Sequence, residues 1–290
     1  MIRYPVSKPE LTALVDDENG TWQARASIRT QALVAAARYT KASEFWTDVK
    51  IVFMRLQHFK CVFCERPLAG ETVGAVEQDV EHFRPKGRVT AWPKKKGPSY
   101  AFSTGGPDAK GYYWLAYDLE NYAASCKPCN STLKSDAFPI AAAQRGGAVN
   151  TVRDLYVAER PYLIYPIGDI DDDPEDLLTF NGIVVQAKAA SEANRRRAQV
   201  TIDFFKLNQR EELWHQRSHI IRAMFDAFDV SRMTTDPDRR RDALETLDNM
   251  TDARSPHTSC ARRYREMLET QPQAAWDTYK IAKTYLSQRL

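Results

Sequence analysis

No uninterrupted apolar run of membrane-spanning length occurs in the 290 residues, so no segment reads as a transmembrane helix. The first residues, MIRYPVSKPE, lack the apolar stretch of a secretory leader. A cytoplasmic protein with no membrane association is expected. Cysteine is scarce: there are five, and four form two C-x-x-C pairs, Cys61/Cys64 and Cys126/Cys129. That usage argues against a disulfide framework and for metal thiolates in a reducing compartment. The fifth, Cys260, falls on the apolar side of a helical pattern and is expected to be a small core residue. Net charge is also low, +3, too little to mark a nucleic-acid binder by itself. No internal repeat and no low-complexity tract is present.

What is present suffices for a packed fold, since 43% of the residues are apolar. Charge is unevenly spread. HFRPKGRVTAWPKKK, from His82 to Lys96, holds six Lys and Arg and no acid, whereas DIDDDPED, from Asp169 to Asp176, holds six acids in eight residues. The acidic run reads as an exposed turn that caps helices or repels DNA from the wrong face, with a second metal loop as the alternative.

Apolar residues at helical spacing over Trp22–Tyr39 and Glu44–Phe59 predict two N-terminal helices. A middle region, Cys61 to about Pro139, is rich in turn signals and holds all four paired cysteines. YLIYPI reads as a strand, and LLTFNGIVVQAK as a hairpin turning at Asn181-Gly182. The last third is helical: Asn208 with Glu211 has the pattern of a capping box, and Pro256 and Pro272 stand where first helical turns accept proline. The fold class expected is α+β and mostly helical. Three segments are expected: 1–60 helical, 61–140 carrying the cysteines, and 141–290 a hairpin followed by helices.

Two residues between cysteines let both sulfurs of a pair reach one tetrahedral ion at about 2.3 Å, and four thiolates make Zn²⁺ the natural occupant. Such a closed shell holds structure and performs no chemistry. Between the pairs lies VEHFRPKG, with Glu81 beside His82; Asn121 precedes the second pair and Asn130 follows it directly, with Lys134 four residues on.

That combination resembles the HNH endonucleases of the ββα-metal class, in the subtype framed by two zinc-binding C-x-x-C pairs. More narrowly, EHFRPKG, WLAYDLENY, CKPCNSTLKSDAFP, IYPIGDIDDDPEDLLTFNGIV and TIDFFKLNQREEL are similar to the prokaryotic HNH nuclease subunits of Septu-type and retron-associated anti-phage systems. The likeness covers roughly residues 50 to 217.

The resemblance implies a small zinc-stapled ββα-metal core flanked by helical regions, Glu81 as metal ligand, His82 as general base, Asn121 as a brace opposite His82, and a helix opening at Asn130. An asparagine oxygen is a hard donor, so Glu81 and Asn130 would share a catalytic Mg²⁺ or Mn²⁺. Arg84, Lys86 and Lys134 are expected near the substrate phosphate. The implied activity is metal-dependent cleavage or nicking of DNA, RNA not being excluded, together with an ATPase partner protein. The alternative is a zinc-stabilised nucleic-acid-binding module without catalysis.

Two departures stand out. Many HNH enzymes have Asp where this chain has Glu81, and many have two histidines where it has Asn130 and Lys134. His215 and His219, in HQRSH, have metal-ligand spacing on a helix, but no acid-His strand or cysteine pair adjoins them, and a surface or packing role is expected.

Overall fold

The computed structural model describes residues 1–42, 44–70, 79–188 and 191–288; residues 71–78, within the expected middle segment, lie outside that set. The protein is mostly helical, with two small antiparallel strand pairs. Among the described residues, no helix is long and apolar enough to cross a membrane.

The chain opens with α1 (Lys8–Glu18), which the sequence reading passed over although SKPE carries its signature. Ser7 accepts from the Glu10 amide, and the Glu10 carboxylate accepts from the Ser7 amide. Helix α2 (Trp22–Ala36) buries Trp22, Ala26 and Leu33 and leaves Ile28 outside. The second expected helix is split into a 3₁₀ turn, Trp46–Val49, and α3 (Lys50–Leu56). Strand β1 (Asp79–His82) pairs antiparallel with β2 (Tyr122–Ser125), placing His82 opposite Tyr122 and Glu81 opposite Ala123.

After β2 the expected α-helix is a π-helical stretch, Pro128–Lys134, closed by a 2.6 Å bond from the Ser135 amide to the Asn130 carbonyl. Such widened turns occur often at functional sites. Next come α4 (Val152–Glu159) and the short α5 (Pro174–Leu177), then β3 (Leu178–Asn181) hairpinned to β4 (Val184–Ala187). The turn residues are Gly182 and Ile183, one position later than expected, with Gly182 at φ +59°.

YLIYPI is not a strand. It crosses the interior as extended chain, with Leu163, Ile164 and Tyr165 buried, and joins Tyr4 through two backbone hydrogen bonds around Pro166. A proline without an N–H cannot propagate a ladder. Its apolar run reflects burial on all sides.

Five helices complete the chain: α6 (Glu192–Phe204), α7 (Glu211–Met233), α8 (Pro237–Thr251), α9 (Thr258–Thr270) and α10 (Pro272–Ser287). The expected cap on α7 is absent. Asn208 instead exchanges two 2.8 Å hydrogen bonds with the backbone of Val185, tying strand β4 to the start of the bundle. One apolar core includes residues of all three expected segments, from Met1 to Leu213, together with Cys260. A second, smaller core lies among α7 to α10, around Met224, Leu247 and Tyr264. Cys260 is buried, and burial pushes its thiol up to about 12.

Candidate functional site

The first cysteine pair sits on a turn after α3. The Cys61 amide donates to the Arg66 carbonyl, the Glu65 amide to the Cys61 carbonyl, and the Val62 amide to Ala124 in β2. Gln57, fully buried, clamps the same junction: its amide nitrogen donates to the carbonyls of Lys60 and Ala124, and its oxygen accepts from the Ala124 amide. Strand β2 then leads directly into Cys126 and Cys129, so one strand carries the second pair to the first.

The four sulfurs all lie within 4.8 Å of one another and are buried. Cys64 and Cys126 are 3.7 Å apart, close to the roughly 3.8 Å edge of a tetrahedron of sulfurs around an ion at about 2.3 Å. Four soft thiolates in that arrangement fit Zn²⁺. Among the described residues this is the one group of three or more metal-ligating side chains of this kind. The His215 and His219 rings pack against each other, centroids 4.6 Å apart, without a third such ligand.

One neighbour of the cluster was not foreseen. Arg210, at the start of α7, donates from Nη1 to Cys129 Sγ at 3.1 Å and from Nε to Glu212 at 2.7 Å. Burial opposes its charge, but the Cys129 and Cys64 sulfurs more than offset this and hold the guanidinium above its ordinary range. A four-thiolate zinc carries two excess negative charges, and a buried guanidinium in contact offsets one of them. Nothing in the local sequence around Arg210 signals this, because the contact spans 81 positions.

Beside β1 opens a cleft of about 340 Å³ lined by Trp46, Glu81, His82, Lys86, Asn130 and Asp136, among others. The structure therefore brings Glu81, His82 and Asn130 to one cavity. The His82 ring is 7% exposed and packs edge-on between Trp46 and Tyr122, at 4.8 and 5.0 Å. Its Nε2 lies 3.0 Å from the Ala116 carbonyl. A carbonyl only accepts, so Nε2 carries the proton and Nδ1 is the basic atom of the neutral ring. Burial first, then the ammonium of Lys86, holds His82 well below its usual value, with the Ala116 contact opposing.

Glu81 is 2% exposed. Burial raises its carboxyl above the usual range, countered by Lys134, whose Nζ lies 2.5 Å from Oε1. Lys134 also donates to the His82 carbonyl at 2.9 Å. Expected at a substrate phosphate, Lys134 is placed inside, fully covered, as the partner of Glu81. The Asn130 side-chain amide makes no hydrogen bond among the described residues, and Asn130 lines the same cleft as Glu81.

Arg84 is likewise not at the cleft. It is 1% exposed, ion-paired with the buried Glu159, and stacked over Tyr112 and Phe138. Asn121, fully buried, accepts from the Arg84 amide at 2.7 Å and donates to the carbonyls of Arg84 and Leu115 at 3.0 and 3.1 Å. Its amide fixes the chain just beyond His82.

Lys86 does line the cleft, 4.4 Å over the Trp46 ring. Trp46 and Asp136 were missed as cleft residues; one belongs to the N-terminal segment and the other follows the π-helical turn, and neither carries a motif. The acidic run is mostly engaged in ion pairs. Asp171, 5% exposed, grips Arg197 with both oxygens at 2.6 and 2.7 Å, Asp169 meets Arg153 at 2.6 Å, and Asp173 caps α5. The capping part of the expectation matches, and Asp169, Asp172 and Asp176 are exposed as expected, whereas Asp171 is buried.

No family model matches the chain, and no solved structure matches it. Among curated proteins it is similar to the Septu protein PtuB of Bacillus mycoides, 28% identical over 194 residues that cover 64% of this chain and 58% of that protein. The chain thus spans less than two thirds of the length of the relative it matches, and the similarity is a distant one to a component of a Septu defence system.

Proposed function

We propose that the protein is an HNH-type endonuclease, the nuclease effector of a Septu-like defence system, cutting or nicking DNA with help from an ATPase partner. The observation that carries this is the meeting of Glu81, His82 and Asn130 in one cleft, backed by a four-sulfur cluster at the end of strand β2. The distant similarity to a Septu protein supports the setting.

In this reading the cysteine cluster holds zinc and fixes β2 and the π-helical turn. Glu81 and Asn130 would hold a Mg²⁺ or Mn²⁺ ion, which when bound supplies charge neutralisation at the scissile phosphate and the leaving oxygen. His82, kept neutral by burial and by Lys86 and oriented by the Ala116 carbonyl, takes the proton of the attacking water on Nδ1. Lys86 contacts a phosphate oxygen. Lys134 pairs with the buried Glu81, and Asn121 with Arg84 holds the segment after His82 in register.

The test is plasmid nicking by the zinc-loaded protein across a metal series, with and without the ATPase encoded beside it. Cutting is expected with Mg²⁺ or Mn²⁺. His82→Ala should lower it by about 10²-fold or more while zinc content stays that of the parent. A parent that binds DNA but cuts with no metal and no partner would instead make the protein a zinc-stabilised binding module.

A further inference from the structure

A second, roomier cavity among the described residues has no residue in common with the cleft at His82. It encloses about 580 Å³ between the segment after the basic run, the end of α4 and the face of α6. Phe102, Tyr156 and Tyr162 provide aromatic wall, and Arg160, Arg196 and Arg197 provide charge. Arg197 is committed to Asp171 and Asp172. Of the other two, Arg160 has no ion pair among the described residues and Arg196 only a surface one. Arg160 ends α4 in the left-handed conformation at φ +48° and is exposed. Arg196 lies 4.8 Å over the Phe102 ring and pairs with the exposed Glu192 of its own helix.

Phe102 is also one end of a row of rings that leaves the cavity. Tyr162 and Phe102 are 5.3 Å apart, Phe102 and Tyr100 4.9 Å, Tyr100 and Trp92 5.7 Å, with interplanar angles of 27 to 33°. Trp92, Tyr100 and Phe102 are all partly exposed. Directly after Trp92-Pro93 come Lys94, Lys95 and Lys96, exposed and without ion pairs among the described residues. A row of partly exposed rings, with an arginine over one of them and unpaired lysines close by in sequence, supplies what unstacked bases and their phosphates can contact, since every base has a face to stack. A cavity of this size has room for one nucleotide.

We propose that this cavity and its ring row bind a single-stranded stretch of the nucleic-acid substrate, one base entering against Phe102 and Tyr162 with its phosphate on Arg160 and Arg196. The inference rests on the nuclease reading only in taking the substrate to be nucleic acid. A strand is favoured over a free mononucleotide because the rings and lysines continue beyond the cavity, where a mononucleotide would have no use for them. Asp172, on the cavity wall beside Arg197, also disfavours the concentrated charge of a triphosphate.

The experiment uses the full-length zinc-loaded protein carrying His82→Ala, so that nothing is cut. A fluorescein-labelled 12-nucleotide single strand and a blunt duplex of the same sequence are titrated and read by anisotropy. The parent should bind the single strand more tightly than the duplex. Arg160→Ala with Arg196→Ala should weaken the single strand about tenfold and the duplex less than twofold. Both side chains are solvent-facing or held only by a surface pair, so the double variant should melt with the parent, and Phe102→Leu gives an independent check through lost stacking with a 2-aminopurine base. Unchanged single-strand affinity in the double variant would overturn the proposal, as would displacement of the strand by stoichiometric AMP, which would make the cavity a mononucleotide site. Nicking by the protein with native His82 separates the two readings: if it nicks and the arginine variant binds strand normally, the inference alone fails.

Discussion

Arg84 and Lys86 stand two positions apart in one basic run, yet they meet opposite environments. Arg84 turns inward to Glu159, which also accepts from the Tyr112 hydroxyl and the Gly146 amide. Lys86 turns outward over Trp46 into the cleft. Removing one member of a buried pair strands the other charge. Arg84→Ala is therefore expected to cost about 3–5 kcal/mol, read as a lower denaturant midpoint. Lys86→Ala should leave the midpoint nearly unchanged and reduce nicking. Equal midpoints for Arg84→Ala and the parent would refute the inward role. His82 works by the same logic at the cleft: edge-on rings, one carbonyl and a nearby ammonium together select the neutral ring with a free Nδ1.

Among elements, the β1–β2 pair is short, four residues a side, and two such strands are not stable alone. They are held by what surrounds them: Gln57 and the first cysteine turn on one end, Asn121 and the segment after His82 on the other. Gly111 has a specific part in that second clamp. At φ +59° it lies against the backbone of Gly87, a cleft residue, so that an added Cβ would fall 1.2 Å from the Gly87 carbonyl oxygen. The neighbouring Tyr112 amide donates to the Pro85 carbonyl at 2.9 Å. Gly111→Ala must push the two segments apart as well as strain its own backbone, and a loss of more than about 2 kcal/mol is expected. Differential scanning calorimetry would measure it. A variant that melts with the parent would mean the two segments part at no cost.

For the whole molecule, the sulfur cluster joins parts distant in sequence: α3, β2 and, through Arg210, the start of α7. Because metal affinity at such a site is folding free energy, stripping zinc with a strong chelator should lower the melting temperature by about 10 °C or more, and stoichiometric Zn²⁺ should restore it.

Acid acts at another buried point. His257, 2% exposed and bonded through Nε2 to Gln216 at 2.8 Å, is held down to about 3 by burial first and by Arg217 next. The unfolded chain takes up that proton near pH 6.5 and the folded chain does not, so stability falls as pH drops from about 6.5 towards 3. Between pH 6.5 and 5 this one residue accounts for about 1.5 kcal/mol. His257→Gln should remove that share of the loss, seen in melts at the two pH values; an undiminished loss would place the acid sensitivity elsewhere.

The sequence by itself determined what depends on near neighbours. The two C-x-x-C turns, the hairpin at Asn181-Gly182 to within one residue, the helical character of the last third and the acid-His dipeptide are properties of spacing over a few positions, and spacing is written in the chain. The Ser7/Glu10 capping box was equally readable, though it was overlooked. Only the tertiary structure decided which side chains keep their charge for solvent and which spend it inside. Arg84 reaches Glu159 across 75 positions, Asp171 reaches Arg197 across 26, and Asn208 reaches Val185 across 23. A buried ion or amide takes whatever partner packing delivers, because leaving it unpaired costs more than any local preference. That is why Arg84, Lys134 and Asp171, which read as surface chemistry, became part of the interior.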